Sequence, residues 1–220
     1  RFVISELNMM IRNLRKWSHR KRVRASAANF ISKGYIEYQP YGQVLILSPW
    51  NYPFQLAMIP ALSALAAGNV VILKVSQKVA NTVEVISKIL DHFPKELITM
   101  IKGEHSLSDY LLNYSFDYIF FTGSTTVGKK VMTKAAENLT PVTLELGGKN
   151  PCVVTADAKL DYAAKRIASG KFLNAGQTCI APDYLLIDEN VKERFLKLIV
   201  KTLKSFYGDD PSASNDFCRI

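Results

Sequence analysis

The sequence predicts an α/β fold, a parallel sheet with flanking helices, and two patterns predict it. Continuous apolar runs such as Val44-Leu-Ile-Leu-Ser48 and Val70-Val-Ile-Leu73 suit strands covered on both faces. Between such runs lie segments with helical spacing and helix punctuation. Strands alternating with helices imply parallel pairing through right-handed crossovers.

The elements follow in order. Phe2, Ile4, Leu7, Met10, Ile11, Leu14 and Trp17 recur near helical spacing, so residues 1–19 read as an amphipathic helix. Tyr35 to Gln39 reads as a short strand before a Pro40-Tyr41-Gly42 turn. After the Val44 run, Pro53 opens a helix through Ala67 that Gly68-Asn69 closes. The Val70 strand follows, and then a helix that Asn81 is expected to cap. Leu97 to Ile101, a short helix from Ser106, Asp117 to Phe121, a helix from Thr125 to Asn138 and Val142 to Leu146 complete the alternation. Past Gly147-Gly148 a second unit starts. It has a strand at Pro151 to Thr155, a helix at Leu160 to Phe172, a strand at Tyr184 to Ile187 and a helix at Val191 to Tyr207. Two strands and two helices make a poor complete domain. Asp216 to Ile220 reads as the start of another element, and the uncapped Arg1 as a start cut from something longer.

With 220 residues, 48% of them hydrophobic and 21% charged, the chain has the composition of a globular protein rather than a disordered or fibrous one. No apolar run reaches the roughly 20 residues of a membrane helix, and no signal peptide is evident. Cys152, Cys179 and Cys218 cannot form a closed disulfide set and lack metal-ligand spacing, which suits a reducing, cytoplasmic setting and predicts no metal. The net charge of +9 is concentrated: eight basic residues against Glu6 alone place +7 of it in residues 1–24. It reads as a solvated helix end favoured by the helix dipole, with contact to phosphate lipids, nucleic acid or an acidic partner as the alternative. No nucleic-acid partner is expected.

Four residues offer chemistry that works together: a thiol, an amide donor, a carboxylate and a cation. Cys179 lies in the polar loop Asn174-Ala-Gly-Gln-Thr-Cys179, which would expose its sulfur, whereas Cys152 sits in an apolar strand. A free cysteine is otherwise a small buried hydrophobe. Asn51, in Ser48-Pro49-Trp50-Asn51-Tyr-Pro, is either bonded to its own turn or an oxyanion donor. Glu145 stands in the apolar Val-Thr-Leu-Glu-Leu run, where burial would raise its pKa toward general-base range unless an ion pair holds it. Lys74 ends a strand. The stretch Thr122-Gly123-Ser124-Thr125-Thr126-Val127-Gly128 follows a strand and opens a helix, where backbone N–H groups can bind an anion. It is neither Gly-x-Gly-x-x-Gly nor a Walker sequence, and a capped helix start would look the same.

Together these segments resemble the NAD(P)-dependent aldehyde dehydrogenase superfamily. The run from Pro40 to Phe54 looks most like its fatty- and aromatic-aldehyde (class 3-like) branch. The resemblance implies a Rossmann-like parallel sheet followed by the first part of a second α/β catalytic domain. It divides the chain into a basic helix and short strand at 1–42, a cofactor domain at 43–147 and an incomplete catalytic domain at 148–220. It implies that Cys179 is the nucleophile, that Asn51 and the Cys179 N–H hold the oxyanion, and that Glu145 activates the deacylating water. Lys74 and the Gly123–Gly128 stretch would bind the ribose and pyrophosphate region of NAD or NADP. Ser48, Pro49, Trp50, Ser76 and Gln77 would line the same site, and Leu146 and Gly147 would lie beside the nicotinamide. An aldehyde is the implied substrate and a homodimer the implied state of the complete protein.

The chain departs from the family where it reads Lys74-Val-Ser-Gln77 in place of the usual Lys-Pro-Ser-Glu. A neutral Gln77 repels a 2′-phosphate less, so NADP is expected to be tolerated. Family chains also continue past the equivalent of Ile220, which makes this sequence read as a fragment clipped at both ends. The alternatives are a CoA-acylating or phosphorylating relative, against which Glu145 argues, and a non-catalytic nucleotide-binding or interaction module.

Overall fold

The computed structural model describes residues 1–219, the side chain of His105 excepted, so Ile220 lies outside the described residues. The chain opens with helix α1 (Phe2–Trp17) and an antiparallel pair, β1 (Lys21–Val23) with β2 (Gly34–Ile36), joined across Arg22 and Tyr35. The sequence reading found no strand at Lys21–Val23 and carried the second one to Gln39. Both strands are largely exposed, so neither has the apolar pattern that marks a strand.

Then the alternation begins: β3 (Gln43–Ser48), α2 (Pro53–Ala66), β4 (Val70–Val75), α3 (Ala80–Leu90), β5 (Ile98–Met100), α4 (His105–Leu111), β6 (Tyr118–Gly123), α5 (Thr125–Glu137) and β7 (Val142–Leu146). These strands form one five-stranded parallel sheet in the order β5-β4-β3-β6-β7. The central strand β3 is buried from Val44 to Ser48, with Leu45 and Ile46 essentially inaccessible. A strand without a solvent face must be apolar on both sides, which is why it reads as an unbroken run. Each such side chain contributes roughly 1.5–3 kcal/mol by leaving water. One face of the core joins Val44, Ile46, Val71 and Leu73 to Ala57 and Ala61 of α2 and to Ile86 and Leu90 of α3.

Local sequence sets the joints. Asn69 is buried, its Nδ2 donating to Ala64 O and its Oδ1 accepting from the Gly42 N–H, so it ties the end of α2 to the approach of β3. Asn81 does not cap α3. Ser76 caps a 3-10 turn (Gln77–Val79) that runs straight into the helix, which leaves Asn81 inside the first turn.

The chain divides into two compact units, residues 1–145 and 146–220. The second contains β8 (Asn150–Val154), α6 (Leu160–Phe172), β9 (Pro182–Ile187) and α7 (Glu189–Tyr207), with β8 and β9 parallel. Leu160, Ala164 and Ala168 form one buried stripe of α6, and a core of Val154, Leu160 and Ala164 closes around Phe195 of α7, which is 0% exposed. Phe195→Ala is therefore expected to destabilise this unit by about 3–5 kcal/mol. The neighbouring, half-exposed Leu196→Ala should cost well under ~1 kcal/mol. Chemical denaturation followed by amide exchange in β8 and β9 measures both, and equal effects would contradict this core.

Candidate active site

Chain order reverses at the centre of the sheet: β3 is flanked by β4 on one side and by β6 on the other. Parallel α/β sheets open a crevice at the carboxyl ends of their strands at such a switch point, and ligands bind there. The register levels those ends, placing Leu47 beside both Lys74 of β4 and Phe121 of β6. A cavity of about 330 Å³ lies over them. Its wall takes Ser48, Pro49 and Trp50 from the end of β3, Lys74, Ser76 and Gln77 from the end of β4, and Gly123, Ser124 and Val127 from the turn into α5.

Three properties of this wall fit a phosphate-bearing dinucleotide. Lys74 is only 6% exposed, and among the described residues no carboxylate pairs with it. Burial holds its pKa below the usual lysine value, and an anionic or hydroxyl-rich ligand would supply the partner that the fold does not. Ser48 Oγ and Thr122 Oγ1 are buried without hydrogen-bond partners. An unsatisfied buried hydroxyl costs about 1–3 kcal/mol, a deficit that ligand hydroxyls or phosphate oxygens would relieve. Finally, α5 starts at the cavity, with Ser124 Oγ accepting from the Val127 N–H at 3.4 Å and the first-turn N–H groups lacking helical acceptors. A Cβ on Gly123 would stand 2.5 Å from the ring of Phe121, so any larger residue there would have to displace that ring.

Not every expected cofactor residue lies on this wall. Thr125 and Thr126 are exposed on the first turn of α5, and Gly128 is buried within the helix. Leu146 ends β7 and Gly147 comes directly after it, and neither they nor the half-buried Asn51 in the β3–α2 turn belong to the lining. Lining residues that were not anticipated include Leu47 and Phe121 on the strands themselves, Lys78, whose ammonium stands 5.8 Å from the Trp50 ring centroid, and Ser108, Asp109 and Leu112 around α4. Lys78 could have been suspected from its place one residue beyond Gln77, but nothing in the sequence links α4 to strand ends so distant along the chain.

Glu145 requires a correction. It is exposed on β7, not buried in apolar surroundings. Successive side chains of a strand point to opposite faces, so Leu144 and Leu146 take the half-buried side while Glu145 takes the open one. The burial expected from the apolar run is therefore absent.

Cys179 lies in the second unit and is exposed, whereas Cys152 on β8 is half-buried. Its loop is tightly wound: Asn174, Ala175 and Gly176 have φ of 53°, 54° and 78° in succession. Only glycine enters this region freely, and a residue such as alanine gives up roughly 1–2 kcal/mol there. Gln177 fastens the turn, with both its N–H and its Nε2 donating to Asn174 O at 3.1 and 2.8 Å. Beyond the turn, Asn150 Nδ2 donates to Cys179 O at 2.8 Å and to Ala181 O at 3.1 Å. Neither Gly148 nor Asn150 was singled out by the sequence, yet a Cβ on Gly148 would come within 3.1 Å of Cys179 O. Among the described residues no group of His, Cys, Asp and Glu could hold a metal, and no helix is long and apolar enough to cross a membrane.

Known proteins match this chain in sequence and in fold. The family model described as "Aldehyde dehydrogenase family" matches residues 2–217. Human aldehyde dehydrogenase family 3 member B1 is 44% identical over 216 residues, which are 98% of this chain and 46% of that relative. The mouse protein named "Aldehyde dehydrogenase, dimeric NADP-preferring" is 44% identical over 219 residues, 99% of this chain and 48% of its own length. The solved substrate-bound AldH of Staphylococcus aureus superposes with a TM-score of 0.94 at 43% identity, covering 99% of this chain and 48% of that one. The chain thus spans about half the length of the curated relatives it matches.

Proposed function

Because this chain belongs to the aldehyde dehydrogenase family, we propose that it serves NAD(P)-dependent oxidation of an aldehyde to a carboxylic acid through a cysteine thioester. The observation that carries this reading is Cys179, an exposed thiol on a loop whose backbone is hydrogen-bonded on both sides. Its thiolate attacks the aldehyde carbon and forms the C–S bond of a thiohemiacetal. The developing oxyanion is held by the Cys179 N–H and the Asn51 amide, each such donor contributing roughly 3 kcal/mol. After oxidation to the thioester, the Glu145 carboxylate takes a proton from water, the water adds to the acyl carbon, and Cys179 leaves with the acid released. Lys74, Ser48, Ser76, Gln77 and the Gly123–Val127 turn would hold the dinucleotide, with Leu146 and Gly147 beside its nicotinamide. The bound nicotinamide would supply the hydride acceptor. The acyl-transferring alternative is not favoured, since Glu145 provides the base that hydrolysis uses. We place the protein in the cytoplasm and assign the complete protein a homodimeric state, in keeping with the word "dimeric" in the mouse relative's name.

The test is formation of reduced nicotinamide from a medium-chain aldehyde with NAD and, separately, with NADP. The aldehyde should drive reduction with both cofactors, and absence of reduction with either would overturn the proposal. Neutral Gln77 and cationic Lys78 face the same cavity, so NADP should bind within about tenfold of NAD. Gln77→Glu should weaken NADP selectively by roughly five- to fiftyfold, an effect of about 1–2 kcal/mol for a like-charge contact near the surface. NADP binding far below that of NAD, and unchanged by Gln77→Glu, would remove Gln77 from cofactor selection.

A further inference from the structure

We infer that Asn150 is a positioning residue for the nucleophile: it fixes the Cys179 backbone so that the Cys179 N–H is presented as an oxyanion donor. This rests on the reading of Cys179 as nucleophile given above. Two peptide planes flank the Cys179 Cα, and the second unit pins both. The plane between Thr178 and Cys179 is held through Thr178 O, which accepts from the Ala181 N–H at 3.1 Å. In a trans peptide the N–H points opposite to the C=O, so this bond also sets where the Cys179 N–H points. The plane between Cys179 and Ile180 is held through Cys179 O by Asn150 Nδ2 at 2.8 Å. The same amide nitrogen donates its other hydrogen to Ala181 O at 3.1 Å, which steadies the residue whose N–H holds Thr178.

The chemistry of residue 150 is specific. An amide NH₂ carries two donors on one atom, enough for two carbonyls. Aspartate has the same shape but would set a carboxylate against both oxygens, and alanine would leave them to water. Space is tight too, since a Cβ on Gly148 would lie 3.1 Å from Cys179 O and 3.2 Å from the Asn150 amide, so a larger residue there would push on the clamp by a few tenths of an ångström. Asn150 begins β8 and Ala181 directly precedes β9, and the parallel pairing of the two strands gives the clamp a rigid base. Among the described residues the Cys179 N–H has no acceptor, which leaves it available to a ligand oxygen.

Two reactions of the same sulfur separate positioning from mere structure. Acylation of Cys179 by p-nitrophenyl acetate forms a C–S bond, passes through a tetrahedral oxyanion and expels p-nitrophenolate. Alkylation by iodoacetamide forms a C–S bond at a saturated carbon, expels iodide and needs no oxyanion donor. Both are followed at Cys179 by peptide mass spectrometry, with Cys218 as an exposed internal reference. Asn150→Ala and Asn150→Asp are expected to slow acylation roughly 10–100-fold while alkylation stays within about threefold and β8–β9 amide protection is kept. Equal changes in the two reactions, or none, would overturn the role of Asn150. A wild-type Cys179 that acylates no faster than Cys218 would overturn the nucleophile assignment instead, so the two failures are told apart.

Discussion

Cys179→Ala is expected to lower aldehyde-dependent reduction of NAD(P) by roughly 10⁴-fold or more, because the covalent half of the reaction has no other route. The substitution should not disturb the fold, since the side chain is exposed and its loop is held through backbone carbonyls that alanine retains. Cofactor binding should therefore survive within about twofold, as judged by quenching of Trp50, which lines the strand-end cavity. Cys152→Ala and Cys218→Ala serve as controls and should keep most of the activity. The first removes a half-buried strand thiol, the second an exposed one in the segment after α7. Retained turnover in Cys179→Ala would end the thioester mechanism, whereas joint loss of turnover and cofactor binding would indicate a folding defect rather than chemistry.

How well the sequence disclosed this arrangement depended on how local each cause was. β3 and β4 were readable because burial on both faces leaves unbroken apolar runs in them, Val44 to Leu47 and Val70 to Leu73. The stripe of α6 was readable because Leu160, Ala164 and Ala168 repeat at helical spacing. The β1–β2 pair was not, since Lys21–Val23 is held by an antiparallel partner and by nothing that its composition reveals. Asn81 was misread as a cap because asparagine at a helix start favours that role, while Ser76, several residues earlier, holds the turn that leads into α3. Lys74 and the Gly123 turn could be placed at the cavity because residue type and position at strand ends both pointed there, and the exposure of Cys179 followed from its polar loop. Ser108, Asp109 and Asn150 could not. They reach the strand-end cavity or the cysteine loop only through tertiary folding, and a serine, an aspartate or an asparagine beside a strand or helix start has a local explanation wherever it stands.

The exposure of Glu145 changes what its replacement should reveal. A buried base would take structure with it when altered, but an open carboxylate on β7 can be exchanged for glutamine with the fold kept. Glu145→Gln retains shape and hydrogen-bonding capacity and removes only the basicity that deprotonates water. Steady turnover should fall by roughly 10²–10⁴-fold, the usual reach of general-base catalysis. The first half of the reaction does not need this base, because Cys179 attack and hydride loss precede the entry of water. Rapid mixing should therefore still show a burst of reduced nicotinamide close to one per active site, followed by a stalled acyl-enzyme visible as added mass on the Cys179 peptide. Hydroxylamine, a nucleophile that attacks a thioester without help in removing a proton beforehand, should release that acyl group and restore part of the turnover. A burst lost together with turnover would place Glu145 in thiol activation or hydride transfer, and unchanged turnover would remove it from the chemistry altogether. The rescue separates the remaining possibilities: a stalled acyl-enzyme that hydroxylamine cannot discharge would mean that access to the acyl carbon, and not the missing base, limits the variant.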